Sequence, residues 1–128
     1  MSDCASHDHN TIGDFLAEQA RLPRDDAPIF YNDLASKFGL PPVDKFWATH
    51  PLCQIFDSID REGATNNRPF RTALVISRER GIPGQGFFNT LQELRGTKYV
   101  LKDEFEQRRI WQKEFDHVIA YYQLSQNA

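Results

Sequence analysis

The sequence predicts a single α+β domain, mostly helical, with a small β-hairpin or strand pair set among four or five helices and a long C-terminal helix closing the core. Three observations carry that expectation. Apolar residues recur at helical spacing in several stretches, each stopped by glycine or proline. One apolar run, Ala73-Leu74-Val75-Ile76, is too short for a helix and has the composition of a buried strand. Near the end, Phe105, Trp111, Phe115, Val118, Ile119 and Tyr122 keep one helical face apolar while Arg108, Arg109, Lys113, Glu114 and Asp116 lie elsewhere. The 128 residues include ten Phe, four Tyr and two Trp, enough apolar area for one core that needs no disulfide staples.

Residues 1–10 mix Ser, Asp, His and Asn without periodicity and predict a disordered tail, leaving residues 11–128 for the domain. Cys4, His7 and His9 match no structural zinc spacing, so no metal site is expected there. Thr11 is expected as the N-cap of a first helix, with Asp14 at its third helical position and Ile12, Phe15, Leu16 and Ala20 on its apolar side. Residues 24–28 read as a linker. Residues 29–40 predict a second helix, with Phe30, Leu34, Ala35 and Phe38 in one stripe, Gly39 as its stop, and Pro41-Pro42 preventing continuation. A further helical turn is expected over residues 43–48.

Pro51 suits the first turn of the next helix, whose stripe is Leu52, Ile55, Phe56 and Ile59. Asp57, Asp60 and Glu62 are assigned to its polar side, and Gly63 to its end. A polar loop then leads to the strand, a charged turn at Arg78-Glu79-Arg80-Gly81, and a helix over residues 87–94 stopped at Gly96. Tyr99-Val100-Leu101 is a candidate short strand. The last helix is expected from residue 103 or 104 to about 124.

Charge is strongly segmented. Residues 1–60 hold ten acids against four bases, residues 61–102 eight bases against three acids, and residues 103–128 five acids against three bases. A basic segment in an acidic chain is where a polyanion would be met. The other reading is that the acidic helices fold against it and neutralise it. The candidate nucleic-acid-binding residues are Arg68, Arg71, Arg78 and Arg80, with the turn glycines Gly84 and Gly86, and backbone contact would dominate. Against groove reading stands the helix from Pro51, which carries Asp57, Asp60 and Glu62 but only Arg61 as a base.

Two constellations resemble chemistry in composition. His50, Cys53 and Asp57 share one side of a helix at spacings of three and four, which is the residue set of a thiol triad. A cysteine among Leu52, Ile55 and Phe56 lacks the surroundings that lower a thiol pKa, so a structural cysteine and a helix-starting histidine are the plainer reading. Gly81-Ile-Pro-Gly-Gln-Gly86 precedes a helix but has neither the lysine of a phosphate-binding loop nor the glycine spacing of a dinucleotide fingerprint. It reads as a strand-to-helix turn. No catalytic residue, cofactor or metal is expected.

Cys4 and Cys53 read as free thiols of a reducing compartment, which predicts a cytoplasmic location. The first residues have neither the basic start nor the apolar stretch of a signal peptide, and no window approaches the roughly eighteen apolar residues of a membrane span. A protein partner is the alternative to DNA, with Trp47 or Tyr121 as exposed anchors.

PIFYNDLASKFGLPP, the helix after it and RPFRTALVISRERGIPGQGFF together resemble, over residues 28–88, the YGELA-type helix, second helix and wing of alkyltransferase-like winged-helix DNA-binding proteins. Their reactive Pro-Cys-His-Arg motif is absent, since residues 68–71 read Arg-Pro-Phe-Arg. The resemblance implies a winged-helix-like arrangement and non-enzymatic DNA binding without alkyl transfer. The stretch from HPLCQIFDSID through ALVISRERGIPGQGFF to the last helix is also similar to small bacterial proteins, which implies a bacterial source and no function.

Overall fold

The structure, a computed structural model, describes residues 9–43, 50–96 and 103–126. The described residues form five α-helices and a two-stranded parallel sheet, against which the second helix packs. Helix α1 (His9–Ala20) buries Ile12, Leu16 and Ala20, which recur every four residues. It begins before Thr11, so that residue lies inside the helix and is not its N-cap. A 3-10 turn (Arg24–Asp26) follows Pro23, whose fixed φ suits a helix entry.

Strand β1 (Ile29–Phe30) occupies residues expected to open the second helix. Phe30 is extended (φ −80°, ψ 150°) and α2 (Tyr31–Lys37) starts just after it. The end of α2 follows expectation: Gly39, at φ +70°, lets Leu40 N–H reach the Ala35 carbonyl (2.8 Å) while its own N–H bonds Ser36 (3.2 Å). Phe38 then packs edge-on against Phe15, with ring centroids 5.6 Å apart.

Helix α3 (Pro51–Thr65) turns Leu52, Phe56, Ile59 and Gly63 inward. Residues 69–75 form an unbroken buried run after it, as a 3-10 turn (Arg71–Leu74) leading into β2 (Val75–Ile76). Only half of the apolar run at residues 73–76 is therefore strand. Ile29 pairs with Val75 and Phe30 with Ile76 in parallel register. A strand pair was expected, but its partner is distant in sequence and the two strands run the same way, unlike the antiparallel hairpin of a wing. Parallel strands need a crossover, which α2 and α3 supply.

Helix α4 (Gln85–Arg95) starts two residues earlier than expected and closes on Gly96, at φ +69°, whose N–H bonds Gln92 (2.8 Å). Helix α5 (Glu104–Gln126) lies against the buried run 69–75 through polar as well as apolar groups. Trp111 Nε1 donates to the Ala73 carbonyl (2.8 Å), and Glu114 Oε2 accepts from Phe70 N–H (2.8 Å). Both bonds satisfy backbone that the short strand leaves unpaired. On the opposite side Arg71 lies flat on α1, so close that a β-carbon at Gly13 would sit 2.9 Å from its Nη1.

Most of the turn expected over residues 43–48 and the strand expected at Tyr99-Val100-Leu101 lie outside the described residues, as do most of the N-terminal tail and Trp47.

Candidate functional site: a cleft above Asp60

The arginines singled out in the sequence do not form one free face. Arg71 is 4% exposed in its side chain and donates to Glu62 (3.2 Å), so it is a core residue that no phosphate reaches. Burial wins here because Arg71 follows Phe70 into the wall between α1 and α3. Arg78 is 65% exposed, stacks over the Phe30 ring (4.2 Å) and meets Asp33 at 3.4 Å. Arg80 pairs with Glu104 (3.7 Å) and donates to Gln107. Arg68 is half-buried after α3.

Other bases of the segment are also met by acids. Arg61 bonds Asp57 (2.8 Å) and Glu93 (2.7 Å), and Arg95 makes a two-pronged bond to Glu114 (3.0 and 2.9 Å). Most of the described arginines of the segment are therefore met by carboxylates, some from the acidic parts of the chain (Asp33, Asp57, Glu104, Glu114) and some from the segment itself (Glu62, Glu93). Lys98 and Lys102 lie outside the described residues.

Gly84 and Gly86 belong to a different feature. Of the three glycines in the turn only Gly81, at φ +73°, takes a left-handed conformation, with its N–H on Ser77 (2.8 Å). Gly84 caps α4 and Gly86 lies in its first turn, and both line a cleft of about 710 Å³. Its walls come from Tyr31 of α2, Cys53, Phe56 and Asp57 of α3, and Gln85, Phe87 and Thr90 of α4, with Asp60 and Thr72 also lining it.

Asp60 is the unusual group. It is 2% exposed and accepts one hydrogen bond from Thr72 Oγ1 (2.8 Å). Burial pushes its carboxyl up to about 8, with repulsion from Asp57 and Glu114 adding and the Thr72 bond and Arg71 opposing. At neutral pH it is a neutral acid that can donate as well as accept. Tyr31 Oη accepts from Gly84 N–H (2.8 Å), and burial raises that phenol to about 12, so it too stays neutral.

Asp60 was expected on the polar side of its helix, and the structure places it inside. The signal was in the spacing, because Leu52, Phe56 and Asp60 recur every four residues and so share the apolar stripe.

The thiol set does not assemble. His50 Nδ1 accepts from Leu52 N–H (3.0 Å), capping α3, and Nε2 lies 2.7 Å from the Pro41 carbonyl. A carbonyl only accepts, so Nε2 carries the proton and both ring nitrogens are engaged. Burial, then the neighbouring Asp57, pushes the Cys53 thiol up, which disfavours the nucleophilic thiolate. Among the described residues no group of three or more His, Cys, Asp or Glu is placed to hold a metal, and no helix is long and apolar enough to cross a membrane. Tyr121 is half-buried, with its ring 4.8 Å from that of Tyr122.

Compared with known proteins, the chain matches no family model, no curated protein and no solved structure.

Proposed function

We propose that the chain is a ligand-binding domain whose site is the cleft above Asp60. One observation carries this reading: a carboxyl group is held neutral beside a cleft of small-molecule size, where the fold gains little from it. An amide there would keep the Thr72 bond without the cost of a buried ionisable group. Strongly shifted carboxyls in concave, aromatic-walled clefts are found where a ligand is met, because the ligand supplies the missing partner.

Cys53 lines the same cleft and reports on it. In a Cys4→Ser background, alkylation of Cys53 by iodoacetamide is expected to be slow at pH 7.5. A cleft ligand is expected to slow it severalfold further. A small-molecule screen in which no compound both raises the melting temperature and protects Cys53 would end this reading.

A second reading, nucleic-acid binding without catalysis, draws on Arg78. Its pair with Asp33 is long and exposed, and such pairs are worth about 1 kcal/mol or less, so a phosphate displaces Asp33 cheaply. Arg80 and Arg68 flank it in sequence. It predicts duplex binding that weakens steeply with salt and is lost in Arg78→Ala/Arg80→Ala. Absence of any binding at low salt would remove it. A protein partner instead of DNA is the outcome if the domain co-purifies with one protein in fixed stoichiometry and ignores duplex.

A further inference from the structure

We propose that the cleft takes a small organic amine, its ammonium group seated against the carboxyl groups of Asp57 and Asp60 and its apolar body against Tyr31, Phe56 and Phe87. The proposal rests on the cleft being a ligand site and names what enters it.

Charge complementarity gives the class. The lining holds two carboxyl groups and, among the described residues, no lysine, arginine or histidine. Arg61 reaches Asp57 from outside the cleft, where both side chains are nearly half exposed, so water screens that pair and Asp57 keeps part of its field. An anion entering here would meet the Asp57 carboxylate, joined by that of Asp60 above about pH 8, and no base among the described lining residues.

The first turn of α4 opposes this with the positive end of a helix, worth about half a charge. The amide of its N-cap Gly84 is already donated to Tyr31 Oη (2.8 Å), which reduces what remains for an anion. The aromatic side chains Tyr31, Phe56 and Phe87 line the same cleft and supply the apolar wall for the body of the amine. Cleft volume, about 710 Å³, suits a molecule of modest size.

Binding should be linked to the Asp60 proton. The groups facing Asp60 are the carboxyls of Asp57 and Glu114, the Arg71 guanidinium and the Tyr31 phenol. An ammonium beside Asp60 favours its charged form and so lowers its pKa. The folded protein then releases a proton on binding below about pH 8, and amine affinity rises with pH, by up to about tenfold per unit between pH 6 and 8. A neutral ligand shows no such slope of that sign.

The test compares 2-phenylethylamine, 2-phenylethanol and 3-phenylpropionate as protectors of Cys53 from iodoacetamide in the Cys4→Ser protein. Rates are referred to the free thiol rate at each pH, and calorimetric titration in two buffers counts protons. The expected result is protection by the amine at a concentration about tenfold or more below the alcohol, none by the carboxylate, and proton release that Asp60→Asn abolishes. If the alcohol or the carboxylate protects as well as the amine, the amine assignment falls while the cleft remains a ligand site. If none of the three protects Cys53 at any pH and none shifts its melting temperature, the amine assignment falls, and the wider screen decides separately whether the cleft is a ligand site. If the amine binds without releasing a proton, Asp60 is not its partner and the assignment is overturned.

Discussion

Replacing Glu114 with alanine is expected to cost about 3–5 kcal/mol of folding stability. For a domain of this size that lowers the unfolding midpoint by roughly 10–15 °C. Glu114 is 7% exposed in its side chain, and one of its oxygens serves both Phe70 N–H (2.8 Å) and Arg95 Nη2 (2.9 Å) while the other takes Arg95 Nη1 (3.0 Å). It joins α5 to the buried run 69–75 and to the end of α4. Removing it leaves a buried amide without an acceptor and a half-buried guanidinium, stacked 4.9 Å above the Phe70 ring, without its counter-charge. Glu114→Gln, which keeps one acceptor oxygen, should lose less, and exposed Lys113→Ala next to it should change little. Chemical denaturation of the three variants decides the matter. A loss under 1 kcal/mol for Glu114→Ala would mean that the Glu114 bonds contribute little to holding α5 in place.

Asp60→Asn is expected to stabilise the domain, by an amount that grows with pH. The carboxyl is held near 8 when folded, against an ordinary value near 4 when unfolded. Below pH 4 both states are protonated and the group makes no difference. Between about pH 4 and 8 the unfolded chain has lost the proton and the folded one keeps it, so wild-type stability falls as pH rises. Above pH 8 the penalty is complete, on the order of several kcal/mol. Asparagine keeps an acceptor for Thr72 Oγ1 and has no proton to lose. Melting curves of both proteins at pH 5, 7 and 9 should therefore diverge steadily, the variant being the more stable. Equal curves, or a variant that weakens with pH, would show Asp60 to be ionised in the folded state. Such stabilisation combined with loss of ligand binding is the pattern of a group kept for function at the expense of stability.

The helices were legible because their signals are local. Leu34 and Phe38, Gly39 beyond them, and the apolar face of residues 111–122 sit within a few residues of one another, so their pattern does not depend on what they pack against, whereas Phe105, expected on that face, is 73% exposed. The partner of Val75 was not legible, since two extended residues at 29–30 carry too little periodicity to be told from the start of α2. Nor was the orientation of the pair, which the path of the intervening helices determines. Arg71 was misplaced because arginine is almost always exposed, and nothing near it in sequence announces that Glu62 and the face of Gly13 will enclose it.

The sequence alone determined the helical content, the glycine stops at Gly39 and Gly96, and the long aromatic C-terminal helix, but not the end of α3, which runs through Gly63 to Thr65. It also showed that acid and base are separated along the chain. Tertiary structure alone decided which charges cancel, because Asp33 meets Arg78, Glu93 meets Arg61 and Glu114 meets Arg95 only after helices distant in sequence are packed together. It also decided that Asp60 keeps its proton. Burial depends on every element that surrounds a group, and no window along the chain contains α2, α3 and the start of α4 at once.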